Sequence, residues 1–109
     1  MKIIIKSTGL ESSDALQAYI QEVLMPLDKF VQSFEKEGDV VFNVEVARTT
    51  RHHKKGGVYY VEITGKIHKE TIRIEQYGDD LHAAIDQARD RLKVDLRRYK
   101  DKIQNKRRS

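Results

Sequence analysis

Cysteine and tryptophan are absent from the 109 residues, and proline occurs once, at Pro26. Without cysteine, neither disulfides nor thiolate metal sites are available. Aromatic residues make up only 7% of the chain, so the core must rest on Leu, Ile and Val. No apolar run approaches the roughly 20 residues of a membrane-spanning helix. The opening Met1-Lys2-Ile3-Ile4-Ile5-Lys6 is too short in apolar run for a signal peptide. The expectation is a soluble cytoplasmic protein with no membrane partner. No internal repeat or break in composition appears, so residues 1–104 are expected to form a single domain. Residues 105–109 read as a basic tail that frays.

Acidic residues are scarce where basic ones gather. The net charge is +4, but residues 1–47 carry 4 basic and 8 acidic side chains, while residues 48–109 carry 17 basic and 9 acidic. Arg48 to Lys55 holds 4 cations and no anion, and Gln87 to Ser109 holds 10 cations against 3 anions. A field separated in this way commonly meets nucleic acid or an anionic membrane. The plain alternative is a solvated surface helix paired within itself, since Asp86 with Arg89 and Asp90 with Lys93 are near neighbours on a helix.

The most informative stretch runs from Asp79 to Arg108 and reads as one long helix. Leu81, Ile85, Ala88, Leu92, Leu96, Tyr99 and Ile103 recur at three- and four-residue steps and make one apolar stripe. Arg89, Lys93, Arg97 and Lys100 form a second stripe, turned roughly 80° from the first at about 3.6 residues per turn. Arg91, Arg98 and Lys102 lie on the opposite flank. A helix that is dry on one side and cationic on both shoulders suits a position beside something anionic.

The remaining elements follow in order. Ile3 to Ile5 predicts a short strand ended by Gly9, and Ser13-Asp14 is a helix start with a hydroxyl cap. Leu16, Ile20, Val23, Leu24 and Leu27 form that helix's buried side, and Pro26 should kink or end it. Phe30 and Phe34 continue the apolar contact in a short extra turn, before a polar turn at Glu35 to Asp39. Val40, Phe42, Val44 and Val46 alternate with Val41, Asn43, Glu45 and Ala47 as a strand. A third strand runs through Tyr59, Val61, Ile63 and Ile67, with Gly65 a candidate bulge. His68-Lys69-Glu70 turns into a fourth strand, Thr71 to Gln76, and Asp79 is the expected cap of the last helix. The order β-α-β-β-β-α gives an α/β (α+β) two-layer sandwich: a four-stranded mixed sheet with both helices on one face.

Catalytic chemistry finds little support. His52 and His53 are adjacent, so they point apart, and no carboxylate or thiolate stands at ligand spacing; metal: none is the expectation. Gly56-Gly57 leads into a strand rather than a helix, so it is no phosphate loop. No nucleophile has a base in view. Tyr59 and Tyr60 in an alternating strand read as one in the core and one out, with base stacking the rival use. The expectation is a protein that is no enzyme, with no cofactor and no small-molecule substrate.

The residues that carry a resemblance are Asp80-Leu81-His82-Ala83-Ala84-Ile85-Asp86, Asp90-Arg91-Leu92 and Leu96-Arg97-Arg98-Tyr99-Lys100-Asp101-Lys102. Val44-Glu45-Val46-Ala47-Arg48 and Tyr59-Tyr60-Val61-Glu62-Ile63 add to them. Together they resemble the ribosome hibernation factors, the group containing hibernation-promoting factor and ribosome-associated inhibitor A, nearly from end to end. The resemblance implies a ribosome-binding domain that sits in the messenger- and transfer-RNA channel of the small subunit, against 16S ribosomal RNA within the 70S ribosome. It implies translation inhibition and preservation of idle ribosomes under stress, as in stationary phase. Because the chain stops soon after the helix, it resembles the short type, which lacks the separate C-terminal domain of long members. The rival reading is a general double-stranded RNA-binding module. RNA contact is expected from Arg89, Arg91, Lys93, Arg97, Arg98, Lys100 and Lys102. Charge alone adds Arg48, Arg51, His52, His53, Lys54 and Lys55. A monomer off the ribosome is the expectation, since no second apolar surface is evident.

Overall fold

Alternation of side chains decides the architecture. The computed structural model describes residues 1–49 and 58–108. They form β1 (Lys2–Thr8), α1 (Asp14–Leu24), two 3₁₀ turns (Met25–Phe30 and Gln32–Glu37), β2 (Val41–Arg48), β3 (Tyr59–Ile67), β4 (Glu70–Gly78) and α2 (Leu81–Arg108). The sheet order is β1-β2-β3-β4, with β1 parallel to β2 and the other pairs antiparallel. The mixed two-layer α/β sandwich expected from the sequence is therefore the fold observed.

One sheet face is apolar. Ile5 lies level with Val44, Val44 with Ile63, and Ile63 with Ile74, making a continuous row across all four strands. Phe42, Val46, Val61, Ile67 and Ile72 extend this face, and Leu16, Ile20, Leu24, Ile85, Leu92, Leu96 and Tyr99 of the two helices close over it in a single core. The other face carries Lys6, Glu45, Glu62 and Glu75 in one row and is open. Tyr59 shares the inner face with Val61, and Tyr60 lies outside against Tyr77, ring centroids 4.8 Å apart. The two tyrosines thus take opposite faces, but both are half-buried and Tyr59 stays outside the core.

The local signals act as their chemistry requires, with two exceptions. Ser13 caps α1, its hydroxyl accepting from the Leu16 amide at 3.0 Å. Pro26, at the start of the first 3₁₀ turn, ends α1 at Leu24. The expected bulge at Gly65 is absent: β3 pairs without interruption, Gly65 facing both Phe42 and Ile72. The glycine is needed for closeness instead, because a Cβ there would stand 2.3 Å from Cδ1 of the buried Phe42 ring. The cap of α2 is Asp80 rather than Asp79. Asp80 immediately precedes the helix and its Oδ1 accepts from the Ala83 amide at 3.0 Å, while β4 runs on through Gly78 and leaves Asp79 to the turn. At its far end α2 takes in residues 105–108 of the stretch read as a tail.

The 28 residues of α2 span about 42 Å at 1.5 Å per residue. The 9 residues of β4 reach only about 30 Å. The helix therefore overruns the sheet. Among the described residues, no helix is long and apolar enough to cross a membrane.

Replacing Gly65 by alanine should destabilise the domain by about 1–3 kcal/mol through overpacking against Phe42. Urea denaturation followed by circular dichroism measures it, and an unchanged midpoint would contradict the close approach.

Candidate nucleic-acid interface

The stripe that α2 buries fixes which way its cations point. With Ile85, Ala88, Leu92, Leu96 and Tyr99 against the sheet, Arg89, Lys93, Arg97 and Lys100 emerge on the α1 side, and Arg91, Arg98 and Lys102 on the β4 side. Two carboxylates, Asp90 and Asp101, sit exposed between the flanks.

The flanks differ in how freely their charges stand. On the β4 side, Arg91 donates to the backbone carbonyl of Glu75 and to the Gln76 side chain. Lys102 pairs with Glu70 at 3.2 Å. Arg98 lines the hollow formed with Glu70, Arg73 and Asp95 and makes no ion pair among the described residues. On the α1 side, Arg89 reaches its neighbour Asp90 at 3.0 Å. Lys93, Arg97 and Lys100 make no ion pair or side-chain hydrogen bond among the described residues. The continuous free row is thus the one between α1 and the outer ridge of α2. Exposed pairs such as Lys102 with Glu70 are worth only about 0–1 kcal/mol, so they yield easily to a better anion.

The α1 side is held by contacts the cation pattern does not reveal. The Tyr19 hydroxyl donates to Asp86 at 2.6 Å, which raises the tyrosine pKa, and its ring meets His82 edge-on at 4.5 Å. This link ties α1 to the first turns of α2 and keeps Asp86 engaged beside the cationic row. Below it, where Pro26 ends α1, a cavity of about 450 Å³ opens between the helices. Its lining includes Val23, Phe30, Arg89 and Lys93. Sequence periodicity assigned Tyr19, Lys29 and Phe30 no part in a site. Their only signal was position, at i and one to three turns on from the core residues of α1.

Arg48 lies away from the free row. Arg48, exposed, ends β2 opposite Tyr59, and the Thr49 amide donates to the Val58 carbonyl at 2.7 Å. That end of the sheet is where Gly78 lies beside Tyr59 and α2 begins. The free cations run away from it along α2, toward the β3–β4 turn near Glu70. Arg51, His52, His53, Lys54 and Lys55 lie outside the described residues.

The open sheet face mixes both signs and pairs them within itself. Glu62 accepts from the Tyr60 hydroxyl at 2.6 Å and from Arg73 at 3.1 Å. The Tyr60 hydrogen bond, seconded by Arg73, holds the Glu62 carboxyl below its ordinary range in spite of desolvation. Burial and the bond to Glu62 push the Tyr60 phenol up. Lys6 pairs with Glu45, and Arg73 with Glu62 and Glu75, so the charges of this face largely satisfy one another, and α2, with its unpaired row, is the candidate nucleic-acid surface.

Comparisons with known proteins agree with one another. Residues 3–104 match the family model described as sigma 54 modulation protein / S30EA ribosomal protein. A ribosome hibernation promotion factor from Picosynechococcus sp. is 29% identical over 103 residues, covering 94% of this chain and 50% of that protein. One from Staphylococcus aureus is 30% identical over 102 residues, with 94% and 50% covered. The chain spans about half the length of the curated relatives it matches. Among solved structures, the N-terminal domain of Protein Y from Thermus thermophilus superposes with a TM-score of 0.70 at 28% identity, covering 91% of this chain and 99% of that one. A ribosomal subunit interface protein from Coxiella burnetii gives a TM-score of 0.69 at 20% identity, covering 93% and 99%, a likeness of fold.

The depressed Glu62 carboxyl sets a pH dependence. The folded chain binds that proton less readily than the unfolded one. The stability it lends is complete above the ordinary glutamate value of about 4.3 and is lost as pH falls through the lower folded value. Glu62→Gln should flatten the acid limb of a stability-against-pH curve. Asp28, also lowered, chiefly by its hydrogen bond from the Met1 amino group, keeps part of the slope. An acid limb of identical steepness in the variant would deny Glu62 this role.

Proposed function

The chain belongs to the sigma 54 modulation protein / S30EA ribosomal protein family, and from that membership we propose that it is a ribosome hibernation factor. It docks on the small ribosomal subunit, in the channel that messenger and transfer RNA otherwise use. There it inhibits translation and preserves idle ribosomes under stress, as in stationary phase. It acts in the cytoplasm by binding alone, with no chemical step, and its RNA partner is 16S ribosomal RNA within the 70S particle. The names of its relatives support a ribosomal role.

The observation that carries the reading is the free row Lys93, Arg97 and Lys100 on a rigid helix seated in the core. Between Lys93 and Lys100 the helix advances about 10 Å, a span that sets several cations along a folded RNA backbone. Recognition of this kind reads phosphate position and groove shape rather than base sequence. Among the described residues these side chains have no ion pair that must be broken before they meet phosphate. Arg98, Arg89, Arg91, Lys102 and Arg48 join as weaker contributors, several of them exchanging an internal partner for phosphate. Arg51, Lys54 and Lys55 add further positive charge from the segment between β2 and β3, and His52 and His53 add hydrogen-bonding rings. A general duplex-binding module remains the rival, and whole ribosomes against plain duplex RNA separate the two.

The test is co-sedimentation with purified small subunits across a salt series. Lys93, Arg97 and Lys100, all changed to Glu, should abolish binding at moderate salt. The same three changed to Ala should lower the steepness of the log-affinity against log-salt plot by about three, one for each lost phosphate contact. Arg91→Ala with Lys102→Ala should leave most binding in place. Unaltered sedimentation of the triple Glu variant would remove the row from the mechanism, and equal affinity for plain duplex RNA would favour the rival.

A further inference from the structure

The cavity between the helices joins directly onto the free cationic row, and its lining is not that of a simple phosphate site. Val23, Pro26, Leu27 and Phe30 give it an apolar side; Lys29, Arg89 and Lys93 bring positive charge, and Glu22 and Asp90 bring acceptors. Its volume of about 450 Å³ falls within the roughly 300–1,000 Å³ usual for small-ligand sites. The Lys29 ammonium rests 5.2 Å from the centre of the half-buried Phe30 ring. Lys93 has no partner among the described residues.

We infer that this groove seats one unpaired nucleotide of an RNA strand, its base against Phe30 and its phosphate against Lys93 and Lys29. The inference rests on the ribosomal reading above and adds to it a place where the base itself is felt. Three properties of the groove lead to a nucleotide. A bare anion would make no use of Glu22 or of the Phe30 ring, whereas a carboxylate accepts hydrogen bonds from the amino groups of bases. An apolar ligand would leave Lys29 and Lys93 without use. A nucleotide uses all of these groups together: a flat apolar face, N–H donors at its edge and one negative charge beside it. The Lys29 contact with Phe30 is weak for so exposed a cation, and base stacking on the ring outweighs it.

The nucleotide belongs to a strand rather than standing free because Lys93 is at once a wall of the groove and the first member of the row continued by Arg97 and Lys100. A strand leaving the groove has its next phosphates guided along that row. Duplex RNA, with its bases stacked inward, has no base to offer unless one is extruded.

Fluorescence anisotropy on the full chain tests this with a short adenosine oligoribonucleotide, the same strand with every base replaced by tetrahydrofuran, a duplex of equal length, and free AMP. The wild type should bind the adenosine strand about tenfold more tightly than the abasic strand, the scale of one stacked base. Phe30→Ala should abolish that difference. Phe30→Leu, which keeps an apolar side chain in place, should abolish it too and guards against loss of the fold. Lys93→Glu should weaken both strands alike. The inference is overturned if intact and abasic strands bind equally to the wild type, if the difference survives in Phe30→Leu, if the duplex binds as tightly as the single strand, or if AMP alone binds as tightly as the strand. Sedimentation with small subunits runs beside it. Binding to subunits without base preference sinks the groove and leaves the ribosomal reading standing, while failure of both assays sinks both.

Discussion

The seating of α2 on the sheet governs everything else about this molecule. Burying a side chain such as Ile85, Leu92 or Leu96 is worth about 1.5–3 kcal/mol each, and all three are almost wholly removed from solvent. The exposed ion pairs along the same helix are worth a fraction of that. Packing therefore sets the rotation of α2 about its axis, and electrostatics follows. A surface of outward-facing positive charge arises because the apolar stripe leaves Lys93, Arg97 and Lys100 no other direction to take.

The two flanks show why charge counting alone overstates a binding surface. By sequence they are nearly equal, four cations against three. In the fold, the β4 flank faces a strand edge with carbonyls and carboxylates at hand, so Arg91 and Lys102 find internal partners. The α1 flank faces the gap left where Pro26 stops α1, and among the described residues its cations find none beyond the Arg89–Asp90 pair. A single proline, by ending one helix early, opens the groove and spares the charges on the other.

Much of the fold was legible in the sequence because its signals are local and redundant. The period-two pattern of Val40 to Val46 and the three- and four-residue spacing of Leu81 to Ile103 each repeat a choice many times, so one misread residue does little harm. The Ser13 cap and the Pro26 stop are single-residue signals with one strong physical meaning. The errors fell where two meanings compete. A strand glycine serves a bulge or a close approach, and only the position of the Phe42 ring shows that Gly65 serves the second. Two adjacent aspartates can each cap a helix, and the choice of Asp80 depends on how far β4 continues. At the candidate interface, the row of cations was readable from helical period, but its inequality was not, since Glu75, Gln76 and Glu70 reach α2 only through the fold. Tyr19 with Asp86 is invisible for the same reason: the partners are far apart in the chain.

The order of the sheet has a consequence for how the chain assembles. β2, β3, β4 and α2 are each neighbours of the next element in the chain, so they can zip together through short closures. The parallel partnership of β1 with β2 is different, because α1 and both 3₁₀ turns intervene between them. Loop-closure entropy must be met there before any hydrogen bond is gained. β1 is thus made before the strand it pairs with, as a ribbon whose pairing closes the longest stretch of chain between neighbouring strands. Lys2 and Lys6, both exposed on that ribbon, are the kind of charges that discourage it from pairing with a stranger meanwhile.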